Sequence, residues 1–211
     1  TRATRTRGEV MHALVASLLS LVAGVVLLWS HTDGFQALTA ERARRLEAAR
    51  STPPVAPFTV ETMDGTVLRV PRVNGRVALV EFIYTRCPTL CQSAGADMKR
   101  LGAQLEIEDL ADRVSLLSVS FDPAHDDVPR LADYGRRHRA DGALWTVGRP
   151  QPAALAGLLS DFGVTVIPDG YGGLAHNVAV HLVTADGRLA GIFDPDDFGA
   201  IVSATRRTLG P

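Results

Sequence analysis

Residues 77–91, VALVEFIYTRCPTLC, decide the fold class of this 211-residue chain. Residues 77–84 form a nearly continuous run of β-branched and aromatic residues, which is typical of a strand buried on both faces of a sheet. Pro88 suits the first position of a helix, and apolar side chains recur through residues 89–105. The stretch therefore predicts a buried strand followed by a turn into a helix.

Further strands and helices alternate on both sides of this stretch. Asp64-Gly65 and Asp186-Gly187 each separate two apolar segments, a pattern that predicts two hairpins. The alternation predicts an α/β fold with a mixed sheet covered by helices on both faces. The other predicted segments are strands at 58–60, 67–70, 114–121, 144–147, 178–184 and 188–193, and helices at 37–50, 127–138, 152–162 and 198–209.

An apolar run without Lys, Arg, Asp or Glu occupies residues 11–30. Twenty helical residues span about 30 Å, the thickness of a bilayer core. Arg2, Arg5 and Arg7 precede the run, which predicts a cytoplasmic N-terminus and a periplasmic remainder. A cleaved signal peptide is the alternative, although its apolar region usually has only about 7–15 residues. We therefore expect a single-pass anchor in the inner membrane.

The predicted organisation has three parts. Residues 1–30 hold a cytoplasmic tip and the transmembrane anchor, residues 31–56 a linker, and residues 57–211 the globular domain. The charged helix predicted at 37–50 could also pack on the domain, and the sequence leaves that open.

Composition excludes several classes of protein. The chain is 46% hydrophobic and 21% charged, as expected for a folded protein rather than a disordered one. Its net charge is −1, and only the arginine-rich start is basic, so we expect no nucleic-acid partner. Two cysteines cannot staple a disulfide-rich scaffold. Because they lie close together, they suggest a chemical role.

Cys87 and Cys91 lie at the predicted turn from strand to helix. Residues i and i+4 of a helix share a face, with Cβ atoms about 5–6 Å apart. The positive end of the helix and Arg86 both favour the thiolate. Such a pair suits Cu(I) or Zn(II), and it could equally form a disulfide or lie buried as two small apolar side chains. The spacing is one residue longer than the common C-x-x-C redox motif, which favours a metal modestly.

A third ligand would complete a trigonal site, and six histidines could provide it. Two of them lie at the apolar run, and His125 and His138 flank a polar helix where we expect them at the surface. His176 and His181 remain, and strand alternation would point them to opposite faces. A lone histidine at a strand is more often structural, which suits His181, so the residues alone do not decide.

Three motifs in order resemble the Sco/SenC/PrrC group of copper-binding, thioredoxin-like proteins. They are FIYTRCPTLC at residues 82–91, SVSFDP at residues 118–123 followed by Asp126, and His176-Asn177 ahead of the Asp186-Gly187 turn. The resemblance runs from about residue 58 to residue 194, and a membrane anchor is also typical of the family. Gln92 is a departure, because the family usually has proline there, and this puts the surface around the site in doubt.

The resemblance implies a thioredoxin-like domain that holds one copper ion, Cu(I) or Cu(II), through Cys87, Cys91 and His176. It implies delivery of copper to the dinuclear centre of cytochrome c oxidase subunit II, or reduction of the cysteines of that centre. Expected partners are subunit II or a similar copper-site protein, another periplasmic copper chaperone, a thiol reductant, and the membrane. Asp122 matches a family aspartate, and it either caps a turn before Pro123 or acts near the site without being a ligand.

A periplasmic thiol–disulfide oxidoreductase acting through Cys87 and Cys91 is the second hypothesis. Such reductases place a proline opposite the cysteines, whereas GGLAH at residues 172–176, which we take as the equivalent stretch, contains none. A nitrogen ligand there favours metal binding, so a metallochaperone that is not an enzyme is the first hypothesis. A peroxiredoxin fits less well, because only Thr85 of the proline and threonine that normally precede its reactive cysteine is present.

Overall fold

The computed structural model describes residues 7–32, 34, 39–71, 75–86, 90–170 and 173–210, apart from the side chains of Arg7 and residues 90–92. The chain divides into two compact units, Thr1–Leu46 and Glu47–Pro211. In the first unit, helix α1 (Arg7–His31) is long and apolar enough to cross a membrane, with a mean hydropathy of 2.3. The helix predicted from the apolar run is therefore confirmed. Helix α2 (Ala40–Ser51) follows it.

The second unit is built on a seven-stranded sheet with helices and a small separate sheet. The strands are β1 (Phe58–Thr62), β2 (Val67–Val70), β3 (Val77–Ile83), β4 (Val114–Ser120), β5 (Trp145–Pro150), β6 (Val166–Pro168), β7 (Leu174–His176), β8 (Val180–Val183) and β9 (Leu189–Phe193). The helices are α3 (Leu90–Ile107), α4 (Val128–His138), α5 (Pro152–Phe162) and α6 (Phe198–Leu209), with a 3₁₀ turn at Ala111–Arg113.

The main sheet is mixed, as the sequence predicts. Its strand order is β2-β1-β5-β4-β3-β8-β9, in which β3, β4 and β5 run parallel and the outer strands pair antiparallel. Every residue of β3 and β4 is buried, which explains their continuous apolar sequences. The core lies between these strands and the helices, and buried residues of α3 such as Met98, Leu101 and Leu105 belong to it.

The parallel pairing of β3 and β4 positions the candidate site. Ile83 lies beside Ser120, so both strands reach the same edge of the sheet at their carboxyl ends. The segment that leads to Cys87 and the loop that follows β4 therefore meet at this edge. Helix α3 then begins at Leu90 and returns the chain to the 3₁₀ turn and β4.

The segment before β1 contributes to the globular unit. Ala48 and Val55 belong to its core. The amide of Val55 donates to the carbonyl of Gly187 at 2.9 Å, and the amide of Leu189 donates to the carbonyl of Pro53 at 2.9 Å. The end of α2 and the residues after it therefore pack with the hairpin of β8 and β9, a contact that the sequence left undecided.

The structure corrects two sequence predictions. The strand predicted at 178–184 begins only at Val180, and the residues just before it form β7, which pairs with β6 in a separate two-stranded sheet. Three-residue strands are too short to leave a periodic pattern. The surface position predicted for His138 is also wrong: the side chain is buried, with its ring 4.4 Å from that of Tyr134.

Candidate metal centre

The cysteine side of the candidate site is the turn from β3 to α3. Cys87 lies outside the described residues. Cys91 lies in the first turn of α3, but its side chain is not among those described. The prediction that both thiols share a face therefore stays a prediction. The structure does describe the residues that lead into the turn, and they are held by two carboxylates.

Asp126 is the first of these carboxylates, and it has no exposed surface. It accepts hydrogen bonds from the amide of Thr85 at 2.9 Å and from the Thr85 hydroxyl at 2.6 Å. The hydroxyl of Ser120 donates to it at 2.6 Å. A buried carboxylate needs several donors to offset its lost hydration. Asp126 therefore ties the start of the cysteine turn to the end of β4 and the loop that follows it.

Asp122 is the second carboxylate. One of its oxygens accepts from Arg86 Nη2 at 2.6 Å and Nε at 3.2 Å, and the other lies 2.7 Å from His125 Nδ1. The hydrogen bond with Asp122 raises the pKa of Arg86. Because Arg86 immediately precedes Cys87, this arrangement supports the role of Asp122 near the site. Arg86 is therefore held in an ion pair with Asp122 at the start of the turn.

His176 forms the other side of the candidate site. It ends β7, and its ring lies 4.8 Å from the ring of Phe121, the residue that follows β4. Its Nε2 atom is buried and has no hydrogen-bond partner among the described residues. A buried nitrogen without a partner is costly unless something binds it.

The protonation of His176 suits a metal ligand. Burial lowers the pKa of its imidazole, and a hydrogen bond with the backbone of Phe82 partly opposes this effect. Since Nε2 has no partner in the described part of the chain, we assign the bond with Phe82 to Nδ1. A neutral imidazole with one nitrogen bonded to the backbone presents the other as a lone pair, which is the usual arrangement of a metal-binding histidine.

The short segment that carries His176 is held at both ends. On one side, the side chain of Asn177 accepts from the amide of Thr165 at 2.8 Å and donates to the carbonyl of Gly163 at 3.0 Å. On the other, the amide of Leu174 donates to the hydroxyl oxygen of Tyr84 at 3.2 Å. We call the segment Leu174–Asn177 the histidine arm.

His181 has the structural role that the sequence analysis favoured for it. It is 1% exposed and lies in β8, between the rings of Phe82 and Phe162 at 5.7 and 5.3 Å. Its Nδ1 is 3.2 Å from the carbonyl oxygen of Val80. His176 lies in β7, whereas His181 lies in β8. Within the described residues no three His, Cys, Asp or Glu side chains form a group that could hold a metal.

Glu81 is a buried acid that the sequence analysis overlooked. It is 2% exposed in β3, its Oε1 accepts from the hydroxyl of Ser118, and Trp145 Nε1 donates to that hydroxyl at 2.8 Å. Burial raises the pKa of Glu81 to about 8; the bond with Ser118 opposes the shift, and Asp97 adds to it. Its Oε2 has no partner in the part of the chain described. The sequence signal for it was that Glu81 is the one acidic residue within the apolar run at 77–84.

Comparison with known proteins identifies a family. The SCO1/SenC family model matches residues 47–209, more than half of the chain. The SCO1 protein homolog of Bacillus subtilis is 29% identical over 138 residues, which cover 64% of this chain and 70% of that protein.

Solved structures show the same fold. The structure of BsSco, described as a member of the Sco family of cytochrome c oxidase assembly proteins with a disulfide switch, has a TM-score of 0.65 at 24% identity, covering 74% of this chain and 93% of that one. ScoI of Bradyrhizobium japonicum with copper bound has a TM-score of 0.59 at 20% identity, covering 72% and 99%. These likenesses confirm the thioredoxin-like fold that the sequence resemblance implied.

Proposed function

The chain belongs to the SCO1/SenC family, and we propose that it binds one copper ion through Cys87, Cys91 and His176 and acts in the assembly of cytochrome c oxidase. The observation that carries the proposal is the place of His176: its buried Nε2 has no hydrogen-bond partner among the described residues, and its ring packs on Phe121 at the sheet edge where the cysteine turn begins. The Nε2 of His138 is also buried without a described partner, but that ring packs against Tyr134 of α4 instead. The copper-bound structure of the Bradyrhizobium ScoI supports the choice of metal.

The chemistry of the three side chains fits copper as a cargo. Two thiolates are soft ligands that suit Cu(I), and an imidazole nitrogen suits both oxidation states of copper. Arg86 and the start of α3 favour the thiolate form of the neighbouring cysteines. His176 is already biased to its neutral form, so it can bind without first losing a proton.

The two sides of the site are held by different contacts. Asp126 bonds to Thr85 at the start of the cysteine turn. The loop after β4 therefore fixes the position of the chain where it leads to Cys87. The histidine arm reaches the same edge of the sheet through Tyr84 and Phe121. Such a site can take up a metal between two elements from distant parts of the chain and release it when one of them withdraws.

The proposal includes the setting of the reaction. Residues 1–30 anchor the copper-binding domain in the inner membrane with the domain in the periplasm, as the arginines before the apolar run at residues 11–30 predict. The client is subunit II of cytochrome c oxidase or a similar copper-site protein, which receives copper or has its cysteines reduced. The disulfide switch of BsSco favours reversible oxidation of Cys87 and Cys91 as part of the cycle.

A competition experiment with Cu(I) tests the ligand set. The full chain in detergent, with its cysteines reduced, is titrated against a Cu(I) chelator as wild type and as His176→Ala. We expect one copper per chain and a loss of affinity of at least about 10- to 100-fold in the variant, because loss of an outer-shell partner alone typically has that effect.

His31→Ala is the matched control, because His31 ends α1 and does not belong to the proposed ligand set. It should keep an affinity close to wild type. If His176→Ala binds copper as tightly as wild type, His176 is not a ligand, and the thiol–disulfide oxidoreductase becomes the better description.

A further inference from the structure

Tyr84 connects the two sides of the candidate site. It lies three residues before Cys87, and its side chain is 3% exposed. Its hydroxyl oxygen accepts the amide hydrogen of Leu174, two residues before His176, across 90 residues of sequence. One side chain on the path to the cysteines therefore contacts the backbone of the histidine arm.

Aromatic packing follows the same route. The ring of Tyr84 lies 5.3 Å from that of Phe121, and the ring of Phe121 lies 4.8 Å from that of His176. The three rings form a continuous row from β3 to the arm. A shift of Tyr84 would therefore change the position of His176 through ring packing as well as through the hydrogen bond with Leu174.

Gly173 lets the arm approach Tyr84 closely. A Cβ atom at this position would lie 3.1 Å from the Tyr84 hydroxyl oxygen and would clash with the carboxylate of Asp169. The amide of Gly173 also donates to Asp169 at 2.9 Å, which helps to hold the backbone in place. The absence of a side chain at Gly173 therefore leaves room for this contact.

We propose that the hydroxyl of Tyr84 is a positioning group that sets the place of His176 relative to the cysteine turn. The inference rests on the proposed ligand set. β7 has only three residues and pairs with β6, outside the main sheet. The arm therefore needs side-chain contacts to be placed against β3, and the hydrogen bond from Leu174 is one of them. Without it, His176 would meet the copper less often in binding geometry.

The test is a double-mutant cycle in the full chain in detergent, with Cu(I) affinity measured for wild type, Tyr84→Phe, His176→Ala and the double variant. Phenylalanine keeps the ring against Phe121 and removes only the hydroxyl. We expect Tyr84→Phe to weaken Cu(I) binding by about 2- to 12-fold, the equivalent of one neutral hydrogen bond. In the His176→Ala background the same change should have no effect.

Three further measurements separate positioning from a general loss of structure. The amide of Leu174 should exchange with solvent faster in Tyr84→Phe, and the nitrogen hyperfine signal of bound Cu(II) should change. The thiol–disulfide midpoint should stay the same. Tyr134→Phe removes the hydroxyl of another fully buried tyrosine, on α4, and should leave copper affinity unchanged.

The outcomes distinguish this inference from the proposal on which it rests. An equal loss in both backgrounds, or unchanged exchange at Leu174, would overturn the positioning role while leaving His176 as a ligand. Full affinity in Tyr84→Phe together with weak binding in His176→Ala would do the same. Full affinity in His176→Ala would overturn the ligand set itself.

Discussion

The cysteine turn and the histidine arm reach the same edge of the sheet but are held by different forces. The residues that lead into the turn are held by charged groups. Asp126 and Asp122 together bond to Thr85, Arg86, Ser120 and His125. The arm is held by neutral contacts, through the amide side chain of Asn177, the hydroxyl of Tyr84 and the ring of Phe121.

The difference concerns how firmly each side of the site is held. Hydrogen bonds to a buried carboxylate stabilise about twice as strongly as neutral ones, so the path to the cysteines should resist displacement more than the arm does. The arm also lies in a two-stranded sheet, which adds little stability by itself. Under the proposed function, we expect copper to be released by movement of the weaker side.

The largest effect is expected from Asp126→Ala. The substitution leaves the amide and hydroxyl of Thr85 and the hydroxyl of Ser120 without their acceptor in a buried place. We expect the free energy of unfolding to fall by about 3–5 kcal/mol, measured by urea denaturation. The thiol–disulfide midpoint should also move, because the start of the cysteine turn loses its anchor.

Asp127→Ala is the matched control for this substitution. Asp127 precedes α4 and caps it by accepting from the amide of Arg130, so its loss should cost only about 1 kcal/mol. Equal losses in the two variants would mean that Asp126 acts as an ordinary loop residue, and the contrast between the two sides of the site would disappear.

A smaller effect is expected from Asn177→Ala on the histidine arm. The variant loses two neutral hydrogen bonds, to Thr165 and Gly163, which should lower the free energy of unfolding by about 1–2 kcal/mol. Copper affinity should fall because His176 is less well placed, whereas the thiol–disulfide midpoint should not change. A shifted midpoint would show that the two sides are not held independently.

Measured as the change over a single pH unit, the smallest effect is a pH dependence set by the buried Glu81 of β3. The pKa of Glu81 is raised to about 8 from the ordinary value of 4.5, so between these values the folded protein holds a proton that the unfolded chain releases. Stability therefore falls as the pH rises through this window, by at most about 1.4 kcal/mol per pH unit. In Glu81→Gln this decline should be absent from urea midpoints measured between pH 5 and pH 8.

Glu106→Gln provides the comparison for Glu81, because Glu106 is an exposed residue of α3. It should keep the decline with pH that wild type shows. If Glu81→Gln keeps it as well, another group is responsible, and the buried acid is not the source of the pH dependence.

Much of the fold was predictable because local sequence patterns identify most of its strands and helices. The helices Pro152–Phe162 and Phe198–Leu209 were predicted at the bounds observed, and the buried runs of β3 and β4 leave little choice but strands. The separate pairing of β6 with β7 was not predictable, because three-residue strands leave no periodic pattern in the sequence. Their pairing depends on how the loop between them folds.

The residues that hold the site were harder to find than its candidate ligands. His176 was identified through the family resemblance. Asp126 was noted only as part of a motif, although its carboxylate holds the entry to the cysteine turn. His138 was misjudged because its helix is polar in sequence, whereas its ring packs against Gly95 and Tyr134. Whether a polar side chain faces solvent depends on what folds over it.

The sequence by itself determined the family, the candidate ligands Cys87, Cys91 and His176, and most of the strands and helices, because periodicity and short motifs are local properties of a chain. Only the tertiary structure decided that Asp126 holds the start of the cysteine turn and that the Tyr84 hydroxyl accepts from the amide of Leu174. It also decided that Glu81 is buried with a raised pKa. These features arise between residues far apart in sequence. Their physical basis is burial and hydrogen bonding across the edge of the sheet, which exist only once β3, β4 and the histidine arm have come together.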